Sequence, residues 1–292
     1  MSTDHLLALF PPELRKAILS AVEDKSMKTE EIRCRIGQPV SVLGKGGLHL
    51  LSTAAVTPQQ LDYLFERATS ASFHAYEREI RNGFVFTSSG YRIGLCGTCY
   101  YDRSSLAGIR DFTSVSIRIP HDVHGCANGV FPELVKAGFQ STIIFSPPGY
   151  GKTTLLRDLI RKLSTSGFRV AVADERGEIS GINRRQIGFD LGPNTDVMTG
   201  GRKAETAIML LRAMNPQILA FDEITDRADI DAIKQAAGCG AALLATAHAL
   251  DRKTLQSRAL YRRLLNCGVF EQVVWIKMMN GKREYVVEEL TT

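Results

Sequence analysis

Uninterrupted apolar runs, each closed by a polar cluster, recur through the second half of the chain. They are Ser141-Thr142-Ile143-Ile144-Phe145, Phe168-Arg169-Val170-Ala171-Val172-Ala173, Ile218-Leu219-Ala220-Phe221 and Ala241-Ala242-Leu243-Leu244-Ala245-Thr246. Short continuous runs of this kind suit strands buried on both faces. Helical periods lie between them. Leu155, Leu156, Leu159, Ile160 and Leu163 share one face, and Ala207, Met209, Leu210 and Leu211 line a helix over 203–214 that Asn215-Pro216 ends. Further helices are expected over 229–239, closed by Gly240, and over 255–265. Residues 181–202 read as a long polar, glycine-rich connection. Residues 269–279, Asn280-Gly281 and 283–290 form a terminal β-hairpin on a strong turn signal. Strands alternating with helices predict an open, mostly parallel sheet whose site lies at the carboxyl edge.

The first third has a different rhythm. Glu31-Ile32-Arg33-Cys34-Arg35-Ile36 alternates as a half-buried strand does, and Val40-Ser41-Val42-Leu43 restarts one before a turn over 44–47. Pro12 opens a short helix over 13–19. Thr57-Pro58 opens another that carries Leu61, Leu64, Phe65 and Ala68 on one side. Strands follow at 84–87 and 91–95, around Ser88-Ser89-Gly90, and at 115–119. The predicted organisation is a smaller N-terminal α+β domain over 1–120, a linker and lead-in helix over 121–138, and an α/β domain over 139–292 that ends in the hairpin. Arg33, Arg35, Arg92, Arg110 and Arg118 stand out in the small domain. Each is either a solvent-face partner in an alternating strand or a guanidinium that reaches a nucleotide or a neighbouring subunit.

The 292 residues suffice for two domains or one large one. The net charge of +5 permits contact with phosphates or acidic surfaces and does not demand nucleic acid. Six cysteines are scattered. Only Cys96 and Cys99 have metal-like spacing, and no second pair follows, so thiols in a reducing compartment are expected rather than zinc. Residues 1–10 lack the plan of a signal peptide, and no stretch is apolar enough to span a bilayer. A cytoplasmic protein without a membrane span is the expectation.

The chemistry is carried by four strand ends. After the first strand comes Ser146-Pro147-Pro148-Gly149-Tyr150-Gly151-Lys152-Thr153-Thr154, and then a helix. A strand, a glycine-bearing loop, Lys-Thr and a helix make a phosphate-binding loop in its required context. The loop from Pro148 to Thr154 would cradle phosphates, through the backbone amides of Gly149, Tyr150, Gly151, Lys152, Thr153 and Thr154; Lys152 would reach the outer phosphates, and Thr153 would hold magnesium. The motif usually opens with glycine, and Ser146 stands there instead. Asp222-Glu223 closes a second strand. Asp222 would hold magnesium through water, and Glu223 would polarise water for attack on the γ-phosphate. Asp174-Glu175 closes a third, which makes Glu175 a second candidate for that base. The residues alone do not choose between the two glutamates. His248 closes the fourth and would sense the γ-phosphate. Arg184, Arg185 and Arg202 in the long connection are candidates for an arginine finger acting across a subunit boundary. No Asn-Lys-x-Asp guanine-reading sequence is present, so ATP is the expected nucleotide.

Three stretches taken together resemble the stage III sporulation protein AA family: Pro147 to Thr154, Val172 to Ile179, and Met214-Asn215-Pro216-Gln217-Ile218-Leu219-Ala220-Phe221-Asp222-Glu223-Ile224. The wider resemblance is to the motor ATPases of type II and type IV secretion systems and of type IV pili. It implies a RecA-like P-loop ATPase domain behind a smaller N-terminal domain, a hexameric ring, and ATP with Mg2+. It raises Glu175 as catalytic base, leaves Glu223 to organise magnesium or water, and assigns a histidine box to His248. It also implies a homo-oligomer in the mother-cell cytoplasm. That ring would be held at the forespore-facing membrane by the integral membrane proteins of the stage III A complex, where it would power or regulate assembly or transport. Two other readings compete. One is a RecA-like nucleic-acid motor, disfavoured by the lack of an aromatic-basic strand-binding signature. The other is a low-turnover regulatory nucleotide-binding protein, motivated by Ser146.

Overall fold

The computed structural model describes residues 3–70, 72, 76–87, 89–119, 122–181, 188–279 and 282–290. Two compact units emerge, one formed by residues up to 121 and the other by 122–181 and 189–292.

In the first unit, α1 (Thr3–Leu7) and α2 (Pro12–Glu23) lead into β1 (Glu31–Arg35), β2 (Ser41–Gly44) and β3 (Gly47–Leu50). Helices α3 (Pro58–Thr69) and α4 (Glu77–Arg81) precede β4 (Phe84–Phe86), β5 (Arg92–Asp102) and β6 (Ser105–Arg118). The strands form one antiparallel sheet in the order β3-β2-β1-β6-β5-β4. Helix α3 starts where the sequence signals it. Thr57 and Gln60 cap each other reciprocally, Pro58 occupies the first turn, and Leu61, Leu64, Phe65 and Ala68 are buried. Two features exceed the sequence expectation. The turn over 44–47 is a tight hairpin that pairs Gly44 with Gly47 and adds β3. Strands β5 and β6 also extend far beyond the predicted cores to a turn at Arg103 and Ser104, both in left-handed backbone. The outer part of β5 is mostly exposed, so no apolar alternation announces it. Four of the five conspicuous arginines have local partners here. Arg33 pairs with Glu31, Arg35 donates to Ser41 Oγ at 3.2 Å, Arg92 covers the Phe84 ring, and Arg110 lies 3.6 Å from Asp111.

The second unit contains α5 (Phe131–Leu134), β7 (Thr142–Ser146), α6 (Lys152–Thr165), β8 (Val170–Asp174), β9 (Thr195–Thr199), α7 (Lys203–Met214) and β10 (Ile218–Phe221). These are followed by α8 (Arg227–Gly238), β11 (Ala242–His248), α9 (Arg252–Ser257), α10 (Ala259–Leu265), β12 (Gln272–Met279) and β13 (Lys282–Glu289). The sheet runs β13-β12-β7-β11-β10-β8-β9, parallel throughout except for the β12–β13 hairpin. This is the open α/β sheet the alternation predicts, a RecA-like P-loop architecture beside an α+β N-terminal unit. Alternate strand residues serve opposite faces. Ile144, Val172, Ala220 and Leu244 pack with α6, while Phe145, Ala173, Phe221 and Ala245 pack with α7, α8 and α10. Each fully buried large side chain contributes about 1.5–3 kcal/mol, so both layers hold the site edge firmly.

Residues 122–138 belong to the second unit and send three side chains into its core. Ala127, Val130 and Leu134 are buried in its core, and Ala127 N donates to Asp158 Oδ2 at 2.8 Å. The connection over 181–202 contains an edge strand, β9, whose only large apolar residues are the half-buried Val197 and Met198. The helix expected over 255–265 is divided at the extended backbone of Arg258. Asn280 and Gly281 lie outside the described residues, as do Arg184 and Arg185. Among the described residues no helix is long and apolar enough to cross a membrane.

Candidate functional site

The parallel register brings four chain positions to one edge. Ser146 is level with His248, and Phe221 pairs with both Ala245 and Ala173. The residues that follow each strand therefore converge on the turn between β7 and α6. That turn needs glycine at two places, Gly149 at φ +79° and Gly151 at φ +90°. Ser146 is not one of the positive-φ residues. It remains in the strand, buried, with its Oγ donating to Pro147 O at 2.9 Å. A glycine is thus not required by the backbone at that position. Pro148 and Gly149 are exposed at the loop, and Tyr150 is half-buried against the α6 layer. Gly151 caps α6 without a side-chain bond, which leaves the amides of the first turn to an incoming anion.

Lys152 turns back beneath the loop. Its Nζ donates to Ser146 O and Pro147 O, each at 3.3 Å, and lies 2.7 Å from His248 Nδ1. Burial lowers the pKa of this ammonium, while the charges of Glu223 and Asp222 oppose the shift. A lysine ammonium only donates, so Nδ1 is the acceptor and the imidazole proton sits on Nε2. Nε2 lies 3.0 Å from Glu223 Oε1. Thr153 Oγ1 donates to Asp222 Oδ2 at 3.0 Å. The other Asp222 oxygen accepts from Thr246 Oγ1 at 2.8 Å and from Glu223 N at 3.0 Å. A hydroxyl and a carboxylate held together offer the hard oxygen donors that magnesium takes.

Glu223 occupies left-handed backbone, φ +37°, which is unusual for a residue with a side chain. Neighbours fix both of its peptide groups. Its N–H also reaches Thr246 Oγ1 at 2.9 Å, and its carbonyl accepts from Lys203 Nζ. Lys203 in turn lies 3.3 Å from Asp229 Oδ2, a nearly buried ion pair. Asp229 and Asp226 cap α8 reciprocally.

Asp174 is buried and accepts from Ser180 Oγ at 2.6 Å, Ser180 N at 2.9 Å and Ile179 N at 3.3 Å. Burial raises its carboxyl pKa against those hydrogen bonds. Its role is to turn the chain after β8, and the next residue, Glu175, is exposed. Glu175 lines a cleft together with Asp174, Arg176, Lys203, Asp222 and Glu223. Both candidate bases therefore face one cleft. Arg202 does not line it. Arg202 is exposed at the start of α7 and sits 3.7 Å from Glu205.

Three residues complete the arrangement without having been singled out by motif. Thr246 shares the strand end with His248, Lys203 adjoins the Arg202 that does not reach the cleft, and Arg157 projects from α6. Thr246 and Lys203 are polar residues next to motif positions, and that adjacency was the available signal. Arg157 donates to Glu178 O and Ile179 O, both at 2.9 Å, with Phe189 against its guanidinium at 3.5 Å. Nothing in its helical period marks it, since arginine on a helix is ordinarily exposed.

Comparison with known proteins places these residues in a lineage. A family model described as "Sporulation stage III, protein AA" matches residues 2–286. Stage III sporulation protein AA of Bacillus subtilis (strain 168) is 30% identical over 283 residues, covering 95% of this chain and 92% of that protein. The ATPase DotB of Yersinia pseudotuberculosis has a similar structure, with a TM-score of 0.63 at 16% identity over 97% of this chain and 81% of the other. The pilus retraction motor PilT, solved with ADP, superposes with a TM-score of 0.62 at 15% identity over 94% and 82%. At these identities the two structures establish the fold.

Proposed function

The chain belongs to the stage III sporulation protein AA family, and from that premise we propose that it is a magnesium-dependent ATPase of the ring-forming secretion type that serves a sporulation channel. The observation that carries the proposal is the meeting of Thr153 with Asp222 at 3.0 Å beside Lys152, at the uncapped start of α6. A loop that merely joined a strand to a helix would have no reason to bury a lysine beneath itself and aim a hydroxyl at a carboxylate from another strand end.

Thr153 and Asp222 would hold Mg2+, which supplies charge neutralisation at phosphate oxygens. The α6 amides bind the phosphates, and Lys152 exchanges His248 Nδ1 for a phosphate oxygen. Water attacks the terminal phosphorus as the bond to the ADP oxygen breaks, and a carboxylate takes the water proton. Glu175 is the base favoured here. It is exposed at the cleft, whereas Glu223 is engaged by His248 Nε2. Glu223 organises the site through that histidine. The chain would act as a hexamer in the mother-cell cytoplasm and dock on integral membrane proteins of the stage III A complex. The family membership and the secretion-ATPase fold support this. Arg202 is retained as a candidate to act across a subunit boundary, since exposure leaves it available to a neighbour.

The test is steady-state hydrolysis of MgATP by the purified chain, with and without its membrane partners, alongside sedimentation. We expect turnover that Lys152→Ala abolishes, and association promoted by nucleotide. Glu175→Gln should lower kcat by about 100-fold or more with little change in KM. No hydrolysis and no self-association, with partners supplied, would overturn the reading.

A further inference from the structure

We propose that Arg283, on the terminal hairpin, is a nucleotide-contacting residue that takes the phosphate nearest the nucleoside, on the side of the phosphate loop away from Thr153 and Asp222. The inference rests on the nucleotide-binding reading above and adds one group to that site.

Topology brings the residue there. β12 runs parallel to β7 with Trp275 opposite Phe145, so residues 277–279 continue past the end of β7 alongside the loop. Arg283 pairs with Met278 on the returning strand, which places it at the height of that loop. The contact is close. A Cβ on Gly151 would stand 3.1 Å from Arg283 Cζ and 3.4 Å from both Nε and Nη1. The guanidinium therefore lies against the peptide that opens α6.

Its neighbours fix the side. Successive helix residues point about 100° apart, and Thr153 points to Asp222. Cys126 Sγ, which donates to Thr154 O at 3.6 Å, lies within the electrostatic reach of Arg283, as does Tyr285. Arg283 thus stands on the Thr154 flank, away from the magnesium-type donors that would serve the outer phosphates. The chemistry is uncommitted, because among the described residues Arg283 makes no hydrogen bond or ion pair, and its side chain is exposed. A planar, permanently charged fork beside free helix amides suits a phosphate oxygen. Packing on a glycine would not require that charge.

Calorimetric titration of the full chain with MgATP and with MgADP tests this. The variants are Arg283→Ala, Arg283→Gln and Arg283→Lys, with Lys152→Ala as reference. Arg283→Ala and Arg283→Gln should each weaken both nucleotides about tenfold and to the same extent, the loss expected for one charge-assisted contact, and Arg283→Lys should recover part of it. The lysine keeps a long stem and the charge, and the glutamine a shorter stem with an uncharged planar head, so a role in packing alone would largely survive in both. Unchanged affinities in Arg283→Gln would overturn the proposal, and so would a loss confined to ATP. If Lys152→Ala loses binding while Arg283→Gln keeps it, this proposal falls and the nucleotide reading stands. If the wild type binds neither nucleotide, both fall.

Discussion

Lys152 Nζ and His248 Nδ1 are 2.7 Å apart, so the lysine that would meet phosphate already has an imidazole acceptor. Binding exchanges one partner for another, and His248 keeps its second nitrogen on Glu223. His248→Ala should therefore retain or tighten MgATP binding while lowering kcat by about 100-fold, because Glu223 loses the group through which it orders the site. Fluorescent-nucleotide titration together with single-turnover hydrolysis separates the two effects. Loss of binding and turnover in equal measure would contradict this.

Glu223 stores backbone strain where its carboxylate is needed, at φ +37°. Glycine adopts that region freely, so Glu223→Gly should be more stable than Glu223→Ala by about 1 kcal/mol, although both lose the side chain. Chemical denaturation of the two variants measures the difference. Equal stabilities would mean that the left-handed geometry costs nothing.

Lys203 and Asp229 form a nearly buried pair that also fixes the Glu223 carbonyl. Lys203→Met leaves Asp229 unpaired and should destabilise the second unit by about 3 kcal/mol. Lys203→Met combined with Asp229→Leu should cost less than the sum of the single changes, because neither charge is then left alone. Additive losses in the melting curves would show that the pair is not coupled.

Asp174 has a carboxyl pKa raised chiefly by burial. The folded state therefore holds its proton to higher pH than the unfolded chain, whose value is near the ordinary 3.8. Its contribution to stability is fully present below that value and is lost as pH rises through the folded value. The stability of the wild type relative to Asp174→Asn should accordingly fall as pH is raised from about 4, the ordinary range of the group. Paired thermal melts across acidic pH read the slope, and a relative stability that rises with pH would refute the assignment.

Much of this was legible in the residues. Continuous apolar runs gave β7, β8, β10 and β11, since strands covered on both faces leave no polar alternation to misread. The motif positions Lys152, Thr153, Asp222, Glu223 and His248 meet because each follows such a run. What escaped has physical reasons. The outer halves of β5 and β6 are held by hairpin pairing with little burial, so their composition says little. β9 is an edge strand with two apolar residues. Arg202 and Lys203 look alike in sequence, yet only Lys203 points inward, toward a carbonyl and a carboxylate that sequence places twenty or more residues away.

Arg157 joins two distant points of the chain. Glu178 and Ile179 give it their carbonyls, and Phe189 lies on its face. One guanidinium thus ties α6, the helix that opens at the phosphate loop, to two separate stretches of the connection after β8, so a displacement of either stretch is carried to the base of that loop.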